Sequence, residues 1–305
     1  MPELPEVEVV RAGLEPAVTG ATIDSVTVFE ERSLRRHDGP SEDFVERLVG
    51  RDILAAVRRG KFLWLPLSAS PALSEPGEAL VVHLGMSGQV LLRDVNQADD
   101  SLLRIRLDIT SPAHGPLRVD FVDQRIFGSM AIDRFVPTPD GHAAGIGSDA
   151  PLIPSQVSHI ARDPLDPAFS DRRFFDALAR RRTGIKRALL DQGLISGIGN
   201  IYADEALWAA RIHYDQPTAT LTRARARTLL AEVRLVLGRA LAEGGTSFDA
   251  QYVNVNGASG YFSRSLNAYG QHGKSCPRCG RPIIREAFMN RGSHFCAFCQ
   301  RIRAA

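Results

Sequence analysis

The four cysteines of this 305-residue chain restrict its fold more than any other feature. They form a C-x2-C pair, a spacer of sixteen residues and a second C-x2-C pair: Cys276, Cys279, Cys296 and Cys299. In a cytoplasmic protein this spacing is typical of a structural zinc site with four thiolate ligands, not of disulfides. The sequence therefore predicts one structural Zn²⁺. Its closed coordination shell folds a small module and takes no part in chemistry.

The length and composition indicate an ordinary globular protein with more than one domain. With 44% hydrophobic and 24% charged residues, the chain has enough apolar surface to form a core. Its length suits two domains with cores of their own and a small appendix. No run of about 18 apolar residues occurs, which argues against a membrane span. A secretory signal is also not expected, because charges interrupt the first twenty residues: Glu3, Glu6, Glu8 and Arg11. We therefore expect a cytoplasmic protein.

The basic residues are clustered although the formal net charge is only +2. Residues 274–303 contain seven Lys or Arg against the single acid Glu286, and a second basic group lies at residues 180–187. Clusters of this kind suit phosphate groups. Two solvated faces, with their counter-charges elsewhere in the fold, are the alternative.

The hydrophobic pattern changes from strands to helices along the chain. An amphipathic helix is predicted from about Pro5 to Glu15, and seven or eight β-like runs separated by turn-rich segments then predict a sandwich or barrel. A segment rich in Pro and Gly follows and predicts a linker over residues 136–160. Helical patterns come next, among them a long helix from about Thr222 to Glu243.

The chain opens with MPELPE, in which two prolines and two glutamates are crowded together, although a terminus is usually the least ordered part of a domain. Pro5 and Glu6 suit the first turn of a helix, but this explains neither Pro2 nor Glu3. Removal of Met1 would leave Pro2 with a free secondary amine, and such an α-amino group titrates near pH 8 and is nucleophilic when uncharged. An adjacent carboxylic acid can transfer protons. The pair could attack a sugar or carbonyl carbon to form an iminium, whereas the alternative is a solvated start without a role.

Six stretches together resemble the formamidopyrimidine-DNA glycosylase family (Fpg/Nei), bacterial enzymes that excise 8-oxoguanine and ring-opened purines. They are PELPEVE, RRGKFLW, HLGMSG, DQRIFG, GIGNIYADE and the four-cysteine end, and they extend from residue 2 to about residue 300. The resemblance implies an α+β multidomain fold. Its parts are an N-terminal antiparallel β-sandwich with an N-terminal helix (1–135), the linker (136–160), a helical domain with a helix-two-turns-helix element and a lid loop (161–265), and a zinc finger (266–305).

The resemblance also implies a bifunctional glycosylase and abasic-site lyase. The expected partner is damaged double-stranded DNA, bound by a monomer without an organic cofactor. Pro2 would attack C1′ to form a Schiff base, and Glu3 would supply and take protons at the sugar. Lys61, placed in the strand after RRG, would contact phosphate and assist elimination, and Arg291 would bind phosphate and assist the second elimination. The alternatives are an exposed strand lysine and a solvated loop arginine. Successive β- and δ-elimination would then nick the strand.

Further residues are implied as DNA contacts. Met86, Arg125 and Phe127 would fill the space left by the extruded base, although a Met or Phe after a β run is usually core. His83 would contact phosphate, although a satisfied buried histidine is the more common outcome for such a residue. Asn200 would cap its helix and bind phosphate. In the same way the resemblance assigns backbone contacts to Arg181 and Lys186, for which ordinary helix-surface charge is the alternative, and it places Tyr261 after a lid at residues 246–260.

Two positions depart from the family pattern, and other functions compete with the first. Leu102 stands where the family often has a DNA-contacting histidine, and Ile126 stands where some members have a second basic residue. One alternative is an endonuclease VIII-like glycosylase for oxidised pyrimidines. Another is a zinc protein that binds lesions without catalysis, which predicts a spoiled nucleophile or acid. A zinc-ribbon partner protein without a DNA role would leave GIGNIYADE and the basic clusters unexplained.

Overall fold

The structure is a computed structural model and describes residues 2–70, 73–246, 255 and 262–303. The chain divides into two units, of which the first comprises Met1–His159 and Ser247–Gly260 and the second Ile160–Thr246 and Tyr261–Ala305. Of Ser247–Gly260, only Val255 is described. Within the described ranges, no helix is both long and apolar enough to cross a membrane.

The first unit is a sandwich of two antiparallel sheets. Its strands are β1 Thr22–Val28, β2 Val57–Arg59, β3 Phe62–Ser70, β4 Leu73–His83, β5 Gly88–Arg93, β6 Leu103–Ser111, β7 Gly115–Asp123, β8 Ser129–Pro137 and β9 Leu152–Pro154. One sheet has the order β1-β6-β7-β5 and the other β2-β3-β4-β8-β9. The structure therefore confirms the predicted sandwich.

The described residues of the first unit also contain two α-helices, α1 (Leu4–Val18) and the short α2 (Ser41–Glu46). The apolar face of α1 packs into the same core as the inner faces of the strands. The helix continues to Val18, beyond the predicted end at Glu15, although Pro16 lies inside it. A proline removes one helical hydrogen bond, but Ala17 and Val18 are buried against the core, and this burial favours the additional turn.

The segment predicted as a linker, residues 136–160, contains ordered structure. β9 pairs with the end of β8 and extends the second sheet. A short 3₁₀ helix follows at Ser155–Val157, and Ile146 exchanges backbone hydrogen bonds with Arg58. The Pro and Gly content therefore marks turns within the first unit as well as a connection to the second.

Where the second unit is described, it combines four α-helices and two short 3₁₀ helices with a β-hairpin. The helices are α3 Asp171–Ala179, α4 Ile185–Leu190, α5 Asn200–Ala209 and α6 Arg223–Ala242, and the hairpin consists of β10 Ile284–Phe288 and β11 Arg291–Phe295. The long helix predicted over 222–243 is confirmed by α6. The Thr222 hydroxyl caps its start by accepting a hydrogen bond from the Arg225 N–H. A turn at residues 192–194 and bends at residues 195 and 197 join α4 to α5, as the helix-two-turns-helix prediction expects of a short connection.

Candidate active site and metal centre

The start of the chain is held in place by α1. Pro2 is buried and Glu3 is only 1% exposed. The Glu3 N–H donates to the Glu6 carboxylate at 2.8 Å, and the Glu3 carbonyl accepts from the Val7 N–H at 3.1 Å. These residues are therefore not a solvated start. The buried terminus fixes an imino acid and a carboxyl group next to each other.

A partly buried ion pair connects α1 to the turn that carries Lys61. The Glu8 carboxylate accepts from the Arg58 guanidinium at 2.7 Å, and Arg58 also donates to the Gly60 carbonyl at 3.1 Å. Arg59 pairs with Phe62 across β2 and β3, so Gly60 and Lys61 form the two-residue turn between these strands. Gly60 takes φ 59°, which glycine adopts without steric cost. Lys61 was predicted within the strand, but it lies in the turn because the strand begins at Phe62.

His83 ends β4 opposite Phe62, and the two rings are stacked with centroids 4.7 Å apart. Burial lowers the pKa of His83 to about 4, and the positive charges of Arg36, Arg35 and Lys61 add to this effect. The imidazole is therefore neutral at pH 7. The positive charges of Lys61 and Arg36 also suit a phosphate group at this edge of the sandwich.

The buried imidazole predicts a loss of stability in mild acid. Because its folded pKa lies below the ordinary value, only the unfolded chain takes up this proton between about pH 6.5 and pH 4. We expect the free energy of unfolding to fall across that window by up to about 3 kcal/mol more for the wild type than for His83→Gln. Urea unfolding at several pH values measures the difference, with the exposed His114→Gln as control. Parallel pH curves for wild type and His83→Gln would contradict the prediction.

Met86, Arg125 and Phe127 lie on two adjacent loops of the first unit. Met86 is 36% exposed and Phe127 is 45% exposed, so neither belongs to the core. The Arg125 guanidinium lies 5.0 Å from the centre of the Phe127 ring. A hydrogen bond from the Arg125 N–H to the Ser87 hydroxyl joins the two loops. The structure thus brings these three predicted residues to the same region, with their side chains accessible.

The departure at Leu102 has a structural explanation. This residue is partly buried against a small cluster formed by Leu91, Leu103 and Val122. Its side chain therefore packs on the sheet in the place where the family often has a polar contact.

In the second unit, one glutamine side chain shapes the turn before α5. The Gln192 amide donates to the carbonyls of Leu190 and Ile198, both at 2.9 Å, and its oxygen accepts from the Gly197 N–H. Asn200 was predicted to cap α5, but Gly199 is the N-cap and Asn200 is the first helical residue. Its side chain instead donates to the Gly292 carbonyl at 3.1 Å. A phosphate contact of Asn200 stays a prediction.

Lys186 is not a surface residue, so the alternative of ordinary helix-surface charge is wrong, and its contact with the DNA backbone stays a prediction. Its side chain is 0% exposed, and its ammonium lies 2.6 Å from the Asp204 carboxylate on α5. It also donates to the Ser293 hydroxyl at 2.8 Å. The other oxygen of Asp204 accepts from the His294 N–H at 2.9 Å. Lys186 therefore joins α4, α5 and the hairpin that carries Arg291.

Breaking this buried pair should destabilise the protein strongly. Lys186→Met leaves the Asp204 carboxylate buried without its counter-charge, which costs about 3–5 kcal/mol in comparable pairs. Urea unfolding of the zinc-loaded protein measures this loss, and the exposed neighbour Arg187→Met is the matched control. If Lys186→Met unfolded like the wild type and only weakened DNA binding, a surface role would be correct.

Arg181 and Arg291 remain accessible. Arg181 lies just beyond α3, where its exposed guanidinium pairs with Asp191 at 2.7 Å. Arg291 is exposed at the start of β11, next to the Gly292 carbonyl that Lys186 and Asn200 contact. Their predicted roles at DNA stay predictions. Tyr261 and nearly all of the predicted lid lie outside the described residues.

The four cysteines converge as a metal site requires. Their sulfur atoms all lie within 4.8 Å of one another, and the Cys279 and Cys296 sulfurs are 3.5 Å apart. Four thiolates at tetrahedral Zn–S distances of about 2.3 Å would be separated by about 3.8 Å, which agrees with this cluster. Cys276 and Cys296 are buried, and Cys279 and Cys299 are half-buried. The residues therefore fit one structural Zn²⁺.

Trp208 on α5 connects the cysteine cluster to the helices. Its indole N–H donates to the Cys276 sulfur at 3.4 Å, and the Arg278 guanidinium lies over its ring at 4.2 Å. Burial raises the pKa of the Cys276 thiol, but hydrogen bonds from Trp208 and from the N–H groups of Arg278 and Cys279 outweigh it and lower the pKa to about 6. The thiolate form is thereby favoured at Cys276, whereas burial and the neighbouring cysteines raise the pKa of Cys296 and, to about 12, that of Cys299.

Besides Asp204, α5 carries a second buried acid that the sequence pattern did not predict. Glu205 is buried, and its carboxylate accepts hydrogen bonds from the backbone N–H groups of Asn267, Ala268 and Tyr269 at 2.8–3.1 Å. Burial raises its pKa. The signal was the pair of acids in NIYADE on a helix that is otherwise rich in small and apolar residues. Both acids attach the segment after α6 to α5.

Family models match the three parts of the chain described above. The formamidopyrimidine-DNA glycosylase N-terminal domain matches residues 1–130, and the H2TH domain of the same glycosylases matches residues 160–251. A zinc finger found in FPG and IleRS matches residues 273–302. The last match agrees with the cysteine cluster in the structure.

Similar proteins and structures cover nearly the whole chain. A formamidopyrimidine-DNA glycosylase of Leifsonia xyli is 68% identical, over 99% of this chain and 100% of its own length. A formamidopyrimidine-DNA glycosylase of Thermobifida fusca is 54% identical, over 98% of this chain and 97% of its own length. The Lactococcus lactis Fpg solved with DNA containing an abasic site has a TM-score of 0.79 at 27% identity, and covers 98% of this chain and 99% of that one. This chain therefore belongs to the formamidopyrimidine-DNA glycosylase family.

Proposed function

We propose that this protein is a DNA glycosylase of base excision repair that removes formamidopyrimidines and 8-oxoguanine and then cleaves the strand. The observation that carries the proposal is the buried start of the chain. Pro2 and Glu3 are fixed by α1, and the Glu8–Arg58 pair connects that helix to the Lys61 turn. A terminus without a function would have no need of such constraint.

The chemistry requires Pro2 to carry a free α-amine, hence removal of Met1. The amine nitrogen bonds to C1′ while the bond from C1′ to the base breaks, and the base leaves with the electron pair and takes up a proton. Loss of the amine proton and opening of the C1′–O4′ bond, with a proton from Glu3 to O4′, give the iminium. Because the nitrogen of a secondary amine has no second proton to lose, the product remains a cationic iminium and is not neutralised to an imine.

Strand cleavage follows from the acidity that the iminium creates. Loss of the C2′ proton expels the 3′ phosphate, and a second elimination expels the 5′ phosphate. In this proposal Lys61 and Arg291 hold these phosphates and assist their departure. The neutral His83, the α5 terminus with Asn200, and Arg181 hold other phosphates along the strand.

Extrusion of the damaged nucleotide is required because C1′ cannot be reached in an intact stack. The exposed Met86 and Phe127 provide apolar surface to replace the missing stacking partner, and Arg125 provides donors for an orphaned cytosine. This set favours the purine enzyme over an endonuclease VIII-like one. The intact Pro2 and Glu3 argue against a protein that only binds lesions.

The named relatives support the same substrate. The Leifsonia xyli and Thermobifida fusca proteins carry the name formamidopyrimidine-DNA glycosylase. The similar Lactococcus lactis structures contain a formamidopyrimidine of guanine in DNA, and a MutM structure contains carbocyclic 8-oxoguanine. A chromosomal substrate places the proposed activity in the bacterial cytoplasm.

A borohydride trap tests the proposal directly. Protein shown by mass to lack Met1 is mixed with labelled duplexes that carry 8-oxoguanine opposite cytosine, an oxidised pyrimidine or an abasic site. We expect a covalent band with 8-oxoguanine, a weaker band with the pyrimidine, and an adduct that peptide mass locates on Pro2. An adduct on Lys61 would refute the assignment of the nucleophile. No band on any duplex would favour the lesion-binding alternative.

A further inference from the structure

The loop between β7 and β8 has a strained conformation at its centre. Ile126 takes φ 54°, a left-handed conformation that a β-branched residue rarely adopts. Its neighbours are Arg125 and Phe127, whose side chains lie against each other. Strain of this kind persists only where the surroundings enforce it, and it often marks a functional loop.

Asp123 holds the N–H side of this loop. Its carboxylate accepts from the Gly128 N–H at 2.6 Å and from the Arg125 N–H at 3.1 Å. The same carboxylate accepts from the Ser87 hydroxyl at 2.5 Å, which connects the neighbouring loop that carries Met86. Asp123 is completely buried, so these bonds are shielded from water.

Arg35 holds the carbonyl side of the same loop. One guanidinium nitrogen donates to the carbonyls of Ile126 and Gly128, at 2.9 and 3.0 Å, and another donates to the carbonyl of Phe127. Arg35 directly follows the 3₁₀ helix Glu31–Leu34, whose last residue is buried in the core. A planar guanidinium can serve three successive carbonyls, whereas an ammonium is a point donor with a different geometry.

Resting on the proposed function, we infer that Arg35 is a positioning residue for base extrusion. It holds the strained loop so that Arg125 and Phe127 face the space vacated by the flipped nucleotide. Through Asp123 and Ser87, the same arrangement fixes the loop of Met86. Arg35 thus contributes to recognition of a disrupted base pair by holding the backbone carbonyls of this loop, and it does not itself enter the base stack.

The test measures binding to two duplexes and, separately, covalent trapping on a single strand. One duplex carries a tetrahydrofuran abasic analogue opposite cytosine and the other is undamaged. The borohydride trap on a single-stranded abasic oligonucleotide reports the Pro2 chemistry alone, because no opposite base needs replacing. For Arg35→Ala we expect about tenfold weaker binding to the analogue duplex, with undamaged-duplex binding and the single-strand trap within about twofold of wild type.

Three further variants separate positioning from simple charge. Arg35→Lys keeps the charge but not the fork and should lose nearly as much as Arg35→Ala. Arg32→Ala, which breaks only a pair with Glu30 on its own segment, should bind both duplexes like wild type. Adding Ile126→Gly to Arg35→Ala should restore part of the affinity, because glycine adopts the left-handed conformation without strain.

A phosphate contact by Arg35 gives a different pattern. Arg35→Ala would then lose the same affinity for both duplexes, and the slope of log affinity against log salt concentration would be smaller by about one. Arg35→Lys would recover affinity, and Ile126→Gly would not. This pattern would overturn the inference. Failure of the proposed function is seen separately, as the absence of a single-strand adduct with the wild type. Thermal unfolding of each variant confirms that the sandwich is intact.

Discussion

Replacing Glu3 by Gln is expected to lower the rate of base release by about 10²–10⁴-fold, the range that a positioned acid or base contributes. The carboxyl group is buried beside Pro2, so water is a poor substitute for it. Gln has nearly the same shape and leaves the backbone bond from the Glu3 N–H to Glu6 in place. The change therefore removes proton transfer and leaves the start of α1 folded. Single-turnover excision from a duplex with 8-oxoguanine opposite cytosine measures the effect.

Glu6→Gln is the matched control for this substitution. Glu6 is buried to the same degree one turn along the helix, and its side chain accepts the Glu3 N–H, which a glutamine oxygen can also do. We expect this variant to lose less than about tenfold in rate. Equal losses in both variants would show that the packing of α1 is decisive, and an unchanged rate in Glu3→Gln would exclude the acid role.

The features that sequence predicted well are governed by local signals. The long helix α6 begins after Thr222 because a hydroxyl there satisfies a free N–H, a preference readable from neighbouring residues. The zinc cluster follows from cysteine spacing, because each C-x2-C turn already brings two sulfurs together. The sandwich followed from alternating strands and turns, although its pairing order did not.

The features that sequence could not predict depend on contacts between distant positions. Lys186 belongs to a basic run and was assigned to the surface, yet Asp204 and Ser293 surround its ammonium group. Arg35 also contributes through a loop about ninety residues away. In both cases the residue type is visible in the sequence, but its partner is known only once the fold is known. Buried charge networks are therefore where a sequence pattern misleads most easily.

Loss of the metal is expected to weaken specific DNA binding through the second unit. Structural zinc supplies about 10–16 kcal/mol to small modules of this type, so the hairpin should unfold when zinc is removed or when the buried Cys296 is changed to Ser. The contacts of Lys186 and Asn200 to the hairpin would then be lost, and Arg291 would no longer be held in place. We expect affinity for the abasic-analogue duplex to fall by about 100-fold.

Tryptophan emission distinguishes local unfolding of this module from global unfolding. Trp208 donates to Cys276, so chelation should shift its emission to longer wavelength, while Trp64 is buried in the sandwich and should not respond. In Trp208→Phe, chelation should therefore leave the emission unchanged although zinc is released. If zinc left the wild type in stoichiometric amount without changing emission or affinity, the cysteine cluster would not be what orders the hairpin. A shift that persists in Trp208→Phe would instead show that metal loss unfolds the first unit as well, because the remaining emission comes from Trp64.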